Sequence, residues 1–177
     1  MNIILCGLPM SGKTTLGKML AKELNWPFID TDHCIEQAYA AETSKKYTCR
    51  QIYVQVGEAN FRKLELEQII SLKKSTHTVI ALGGGSLQSS VNAAMLQSIG
   101  DIVYLQTPWQ IIWEKMSQSN TIPAYLNHND PKMSFYQLTQ TRVPLYLAAA
   151  NLIIETSRMS MQAVLEGILI MRRIVHG

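Results

Sequence analysis

Apolar and polar positions alternate in blocks along this chain. Five short apolar runs stand out: Asn2–Cys6, Pro27–Ile29, Thr78–Leu82, Asp101–Gln106 and Asn151–Glu155. Runs apolar throughout suit parallel strands covered on both faces. Longer stretches of helical periodicity separate them. Leu16, Met19, Leu20 and Leu24 follow i, i+3, i+4, i+8 spacing, which makes one apolar helix face. Helices are also expected over Ser89–Ser98 and Trp109–Ser117, the second with Thr107 as N-cap and Pro108 in its first turn. Near the C-terminus, Met161, Val164, Leu165 and Ile168 form another apolar face, and Arg172 and Arg173 follow where cations favour a helix end. Strands alternating with helices predict an α/β fold with a parallel sheet.

Two stretches fit this alternation less well. Residues 33–72 are long for one crossover and are expected to hold several helices. Residues 118–134 are polar and contain two prolines. A loop of that length in a compact domain is usually disordered or a functional lid.

A length of 177 residues suggests a single domain over 1–177, with room for a continuous core. An apolar share of 47% and a charged share of 16% exclude a disordered chain. A net charge of +3 is too small to argue for nucleic acid, though it suits anionic ligands. Cys6, Cys34 and Cys49 are too few and too irregular for a disulfide framework or a CxxC metal site. The first residues carry no basic n-region, and no apolar run approaches the ~20 residues of a membrane span. The expectation is a soluble, cytoplasmic monomer in a reducing compartment, with neither membrane nor nucleic acid as partner.

Gly7-Leu8-Pro9-Met10-Ser11-Gly12-Lys13-Thr14 matches G-x-x-x-x-G-K-[ST], after a strand and before an amphipathic helix. Glycines permit the backbone to turn its N–H groups towards phosphates at the helix N-terminus. Gly7, Met10, Ser11, Gly12, Lys13, Thr14 and Thr15 are the expected ATP-binding set. Lys13 would neutralise the β/γ-phosphates and Thr14 would ligate Mg²⁺.

Four further signals bear on the acceptor. Asp30 and Asp32 fall at the C-terminal end of the second strand, where ligands bind in open α/β sheets. One carboxylate can serve Mg²⁺ and the other a substrate hydroxyl; both can also cap the next helix. In Gly57-Glu58-Ala59-Asn60-Phe61-Arg62, Arg62 can grip an anion by a bidentate fork. Gly83, Gly84 and Gly85 follow the third strand, and three glycines together point to close approach of a ligand or another backbone. In Arg142-Val143-Pro144-Leu145-Tyr146, Pro144 is expected to kink or end a helix and so to fix Arg142.

These five signals, in this order and at these separations, resemble the shikimate kinase family across essentially the whole chain. The resemblance implies a three-layer P-loop kinase fold, with a central five-stranded parallel sheet, helices on both faces and a mobile lid. It implies Mg²⁺-dependent transfer of the ATP γ-phosphate to the 3-hydroxyl of shikimate, in aromatic amino acid biosynthesis. Carried over by position, Lys13 and Asp32 are catalytic, and Thr14 and Asp30 serve the metal. Asp32, Arg62, Gly83, Gly84, Gly85 and Arg142 bind shikimate, and Arg158 borders the adenine.

The lid departs from the family. Its usual arginine before a proline is missing: the segment reads Asn120-Thr121-Ile122-Pro123, and no arginine lies between Lys115 and Pro131. Lys132 or Lys115 is expected to supply the charge, or the enzyme runs slowly without it. Met10 stands where the family often has glycine, a position read as tolerant. Other readings are another small P-loop kinase, acting on gluconate or a nucleoside monophosphate, and a non-catalytic nucleotide-binding protein. His33, His77, His128 and His176 show no metal-ligand spacing. Cys34 is read as a small hydrophobe, and Trp109 and Trp113 as packing residues.

Overall fold

A computed structural model describes residues 1–119, 123, 126–127 and 129–176. Asn120, Thr121, Ile122 and His128 lie outside the described residues, so much of the expected lid does too. Five strands form one parallel sheet: β1 (Asn2–Cys6), β2 (Phe28–Asp30), β3 (Val79–Ala81), β4 (Gly100–Gln106) and β5 (Leu152–Glu155). Their order is β2-β3-β1-β4-β5. Ile4 sits between Ile80 and Ile102 at the centre of the register.

Each expected strand is present, with ends shifted by a residue or so. Period-two alternation then sorts the side chains. Ile4, Cys6, Ile80, Leu82, Ile102 and Tyr104 share one core cluster, and Ile3, Leu5, Val79, Val103 and Leu105 the other. The central strands are buried on both faces, whereas β2 and β5 at the edges are only half-buried.

Helices cover both faces. α1 (Lys13–Leu24) and α7 (Met161–His176) close one, with Leu16, Leu20, Val164, Leu165 and Ile168 in its core. The residue 33–72 stretch splits as expected, into α2 (Thr31–Thr43) and α3 (Cys49–Ser71). They pack around Ile35, Tyr39, Ile52 and Phe61 in a small core of their own. A capping box between Thr48 and Gln51 starts α3. Gly57, at φ 76° and ψ 166°, breaks it midway. α4 (Ser90–Ile99), α5 (Trp109–Ser119) and α6 (Pro131–Ala149) cover the second face. Trp109 stacks near Tyr136 and Trp113 near Phe135, so both tryptophans are packing residues.

One local expectation is narrowed and another overturned. α6 neither stops nor divides at Pro144 but continues to Ala149. A helical proline cannot donate to the carbonyl four residues back. That residue is Gln140, which is exposed, so water can replace the lost bond. Burial of Arg142, Tyr146 and Ala149 along one side holds the helix together. Nor does Thr107 cap α5. Its hydroxyl pairs with that of Thr156 at 2.6 Å, tying the β4 end to the β5 end.

Candidate active site

The site lies at the carboxyl ends of β1, β2 and β3, the edge where open α/β sheets bind ligands. The turn after β1 needs its glycines. Gly7 has φ 146° and Gly12 φ 92°. A Cβ on Gly7 would lie 2.8 Å from the Leu105 carbonyl, and one on Gly12 would meet the Met161 side chain. Met10 has φ 59° in the same turn. The position read as tolerant is therefore a left-handed one that costs an L-residue about 1–2 kcal/mol. Ser11 is buried and its N–H donates to the Leu8 carbonyl at 3.3 Å. Thr14 and Thr15 are exposed in the first turn of α1.

Lys13 folds back into this turn. Its ammonium donates to the carbonyls of Gly7 at 3.0 Å and Leu8 at 2.7 Å. Burial pulls its pKa down to about 8, and the carboxylate of Asp32 partly opposes the shift. A lysine held so closely by backbone is pre-aimed along the phosphate cradle.

Asp30 does two jobs with two oxygens. Oδ1 accepts the N–H groups of Asp32 at 3.1 Å and His33 at 3.5 Å, capping α2. Oδ2 accepts the Thr14 hydroxyl at 2.7 Å. Capping fixes the rotamer that reaches Thr14. Two adjoining hard oxygens, one on a carboxylate, suit Mg²⁺. Asp32 is half-buried in the first turn of α2. Burial, reinforced by the charge of Asp30, pushes its pKa up to about 6.

The glycine triplet explains how the acceptor side is built. A Cβ on Gly83 would collide with the Asp32 carboxylate, and one on Gly85 with the Arg62 guanidinium. One on Gly84 would come within 3.2 Å of Arg142 Nη1. Three successive glycines thus make room for three successive charged side chains. The close approach read from the sequence is made by these side chains rather than by another backbone.

Backbone bonding refines the individual roles. Gly83 donates to the Thr31 hydroxyl at 2.9 Å and lies beneath Asp32 rather than on the cleft wall. The carbonyls of Gly83 and Gly85 accept from Ser86 and Gln88. That of Gly84 accepts the Tyr146 hydroxyl at 2.5 Å. The N–H groups of Gly84 and Gly85 remain as the donors that a ligand can meet. Arg142 is 5% exposed and stands one helical turn before Tyr146.

Residues missed in the sequence hold these groups in place. Glu65, 4% exposed, pairs with Arg62 from one turn further along α3. Glu58 adds a 3.6 Å contact from the other side. The i, i+3 spacing of Arg62 and Glu65 was visible, but such pairs are common on helix surfaces and its burial was not. Tyr146 belonged to a quoted motif, without the Gly84 contact that explains it. Cys49 donates through its thiol to the Asp32 carbonyl at 3.2 Å and through its N–H to Glu36 at 2.9 Å, joining α3 to α2.

Together these side chains line a cleft of about 580 Å³. Lys13, Thr14, Asp30 and Asp32 line it together with Arg62, Glu65, Gly84, Gly85 and Arg142. Among the described residues of the lid, Pro123 reaches it. Arg158 lies off this cleft, exposed in the turn between β5 and α7. Lys115 and Lys132 are exposed on α5 and α6 and do not line it either. Cys34 is half-buried, and burial raises its thiol pKa. Among the described residues no cluster of His, Cys, Asp and Glu forms a metal site of its own, and no helix is long and apolar enough to cross a membrane.

Known proteins resemble this chain in sequence and in fold. A family model described as shikimate kinase matches residues 9–172. A shikimate kinase of Burkholderia pseudomallei is 34% identical over 168 residues, covering 95% of this chain and 88% of its own. The structure of a shikimate kinase from Acinetobacter baumannii in complex with shikimate superposes with a TM-score of 0.85 and 31% identity, over 98% of this chain and 92% of that one. One from Bacteroides thetaiotaomicron gives 0.79 and 25%, over 99% and 98%. The chain belongs to the shikimate kinase family.

Proposed function

We propose that the cleft is the active site and that it transfers the ATP γ-phosphoryl group to the 3-hydroxyl of shikimate. One observation carries the reading: two arginines and an aspartate, each seated on its own glycine, share one cleft with the phosphate cradle. A cyclic acid with several hydroxyls matches that set. Arg62 and Arg142 would take its carboxylate by charge-assisted bonds. Asp32 and the N–H groups of Gly84 and Gly85 would take its hydroxyls.

Phosphoryl transfer asks the protein mainly for alignment and charge. Asp32 would orient the acceptor hydroxyl and receive its proton. Lys13 would leave the Gly7 and Leu8 carbonyls for phosphate oxygens, which are stronger acceptors. Gly7, Met10, Ser11, Gly12 and Thr15 would complete the cradle, and Arg158 would border the base. Thr14 and Asp30 would hold Mg²⁺, which on binding offsets phosphate charge. The lid would exclude water, whose attack on ATP is the competing reaction. In this reading the chain is one domain acting as a cytoplasmic monomer.

The test is Arg142→Ala. Loss of one charge-assisted fork is worth about 1.5–3 kcal/mol, so the shikimate KM should rise about 10- to 150-fold. The ATP KM should stay within about twofold. Equal effects on both would remove Arg142 from the acceptor site.

A further inference from the structure

One cleft-lining cation has no part in the roles above. Arg50 is the second residue of α3 and lines the same cleft as Met10, Lys13, Thr14, Asp30 and Asp32. Its side chain is exposed. Among the described residues it makes no ion pair. Four neighbouring carboxylates, Asp30, Glu36, Glu58 and Glu65, already have partners, and Asp32 is the one assigned above to the acceptor hydroxyl. Asp30 holds Thr14 and the α2 N-terminus, Glu36 accepts the Cys49 N–H, and Glu58 and Glu65 flank Arg62.

The backbone carrying Arg50 is held in place. Cys49, its immediate neighbour, is bonded to the Asp32 carbonyl and to Glu36, and the Thr48–Gln51 capping box encloses it. Arg50 therefore projects from a fixed point beside the acceptor aspartate. A guanidinium there, in no ion pair among the described residues, is suited to an anion that arrives with the ligands. The acceptor carboxylate already has Arg62 and Arg142. The anion left to match is phosphate.

The lid sharpens the case. Between Lys115 and Pro131 the sequence holds no arginine, and neither Lys115 nor Lys132 lines the cleft. We propose that Arg50 supplies the guanidinium for the transferred phosphoryl group, reaching it from the start of α3 instead of from the lid. This rests on the phosphoryl-transfer reading given above. In the step, the bond from γ-phosphorus to the β–γ bridging oxygen breaks and the one to the acceptor oxygen forms. ADP leaves with the bond's electron pair, and the acceptor proton passes to Asp32. Arg50 exchanges no proton; it offsets charge on the phosphoryl oxygens as they move between the two partners. An arginine in that role is worth about 10³–10⁵ in rate in P-loop enzymes studied in detail.

The experiment compares wild type with Arg50→Ala and Arg50→Lys. Two quantities are read: steady-state kinetics with ATP and shikimate, and the binding ratio of a non-hydrolysable imido-triphosphate analogue to ADP. Arg50→Ala should lower kcat at least about 100-fold with the shikimate KM changed less than about threefold. It should also reduce the preference for the triphosphate about tenfold. Arg50→Lys should recover part of both, as a point charge without the fork. A kcat for Arg50→Ala within threefold of wild type overturns the proposal. So does a comparable loss on Lys115→Ala or Lys132→Ala with Arg50→Ala unaffected. Should the wild type fail to turn over shikimate, the phosphoryl-transfer reading falls separately, and the binding ratio decides alone. A tenfold drop in Arg50→Ala then supports the phosphate contact, and an unchanged ratio overturns it.

Discussion

Met10 holds a left-handed conformation, φ 59°, inside the phosphate turn. Its side chain is 40% exposed. Met10→Gly should therefore raise the unfolding free energy by about 0.5–1 kcal/mol, the relief of strain exceeding the entropy lost by glycine. Urea unfolding measures it; a less stable variant would mean that Met10 is held by packing. Gly85 works the other way. A Cβ there collides with the Arg62 guanidinium, a flexible end that can move aside. Gly85→Ala should lower stability and raise the shikimate KM at least about tenfold, because moving Arg62 unpairs the buried Glu65 and displaces a positioned group. Parallel melting and kinetic measurements check both parts. Asp32 offers a third reading at this scale. Burial and the neighbouring Asp30 raise its pKa from 3.8 to about 6. A folded value above the unfolded one means that its stabilising contribution is whole below the unfolded pKa and is lost as pH rises through about 6. Carbon-13 NMR titration of metal-free protein should place Asp32 near 6, and a value near 4 would contradict its burial.

The elements that place these residues differ in how openly the sequence announces them. β1, β3 and β4 are buried on both faces, so apolar runs alone mark them. The first capping signal, Asp30 before α2, is equally local. α6 is different. Pro144 reads as a break, yet the helix passes through it because Arg142, Tyr146 and Ala149 are buried on one side. That packing joins residues far apart in sequence, so no local pattern carries it. Tyr146 shows what the continuation achieves, since its hydroxyl fixes the Gly84 carbonyl beside Arg142. Tyr146→Phe should cost about 1–2 kcal/mol, as a partly buried carbonyl loses its donor. Thermal unfolding tests this, and an unchanged midpoint would mean that water serves as well. α3 was expected only as part of a helical stretch. Its division at Gly57 turns on a φ of 76°, which a glycine permits but does not by itself reveal.

At the scale of the whole molecule, the sheet order β2-β3-β1-β4-β5 gathers the ends of β1, β2 and β3 around one cleft. Lys13, Asp30, Asp32, Arg62 and Arg142 could be named from sequence because each sits in a short recognisable motif. Their supports could not: Glu65 is an ordinary helical acid until its burial is known, and Arg50 lies in no motif. The central claim is that one cleft joins a phosphate cradle to a site for shikimate. Its most direct measurement is ADP release from ATP and Mg²⁺, with and without shikimate, with gluconate and AMP as parallel acceptors and Lys13→Ala as control. The account predicts ADP release that depends on shikimate, is not elicited by gluconate or AMP, and disappears in Lys13→Ala. Nucleotide binding without stimulation by shikimate, or equal stimulation by gluconate or AMP, would contradict it.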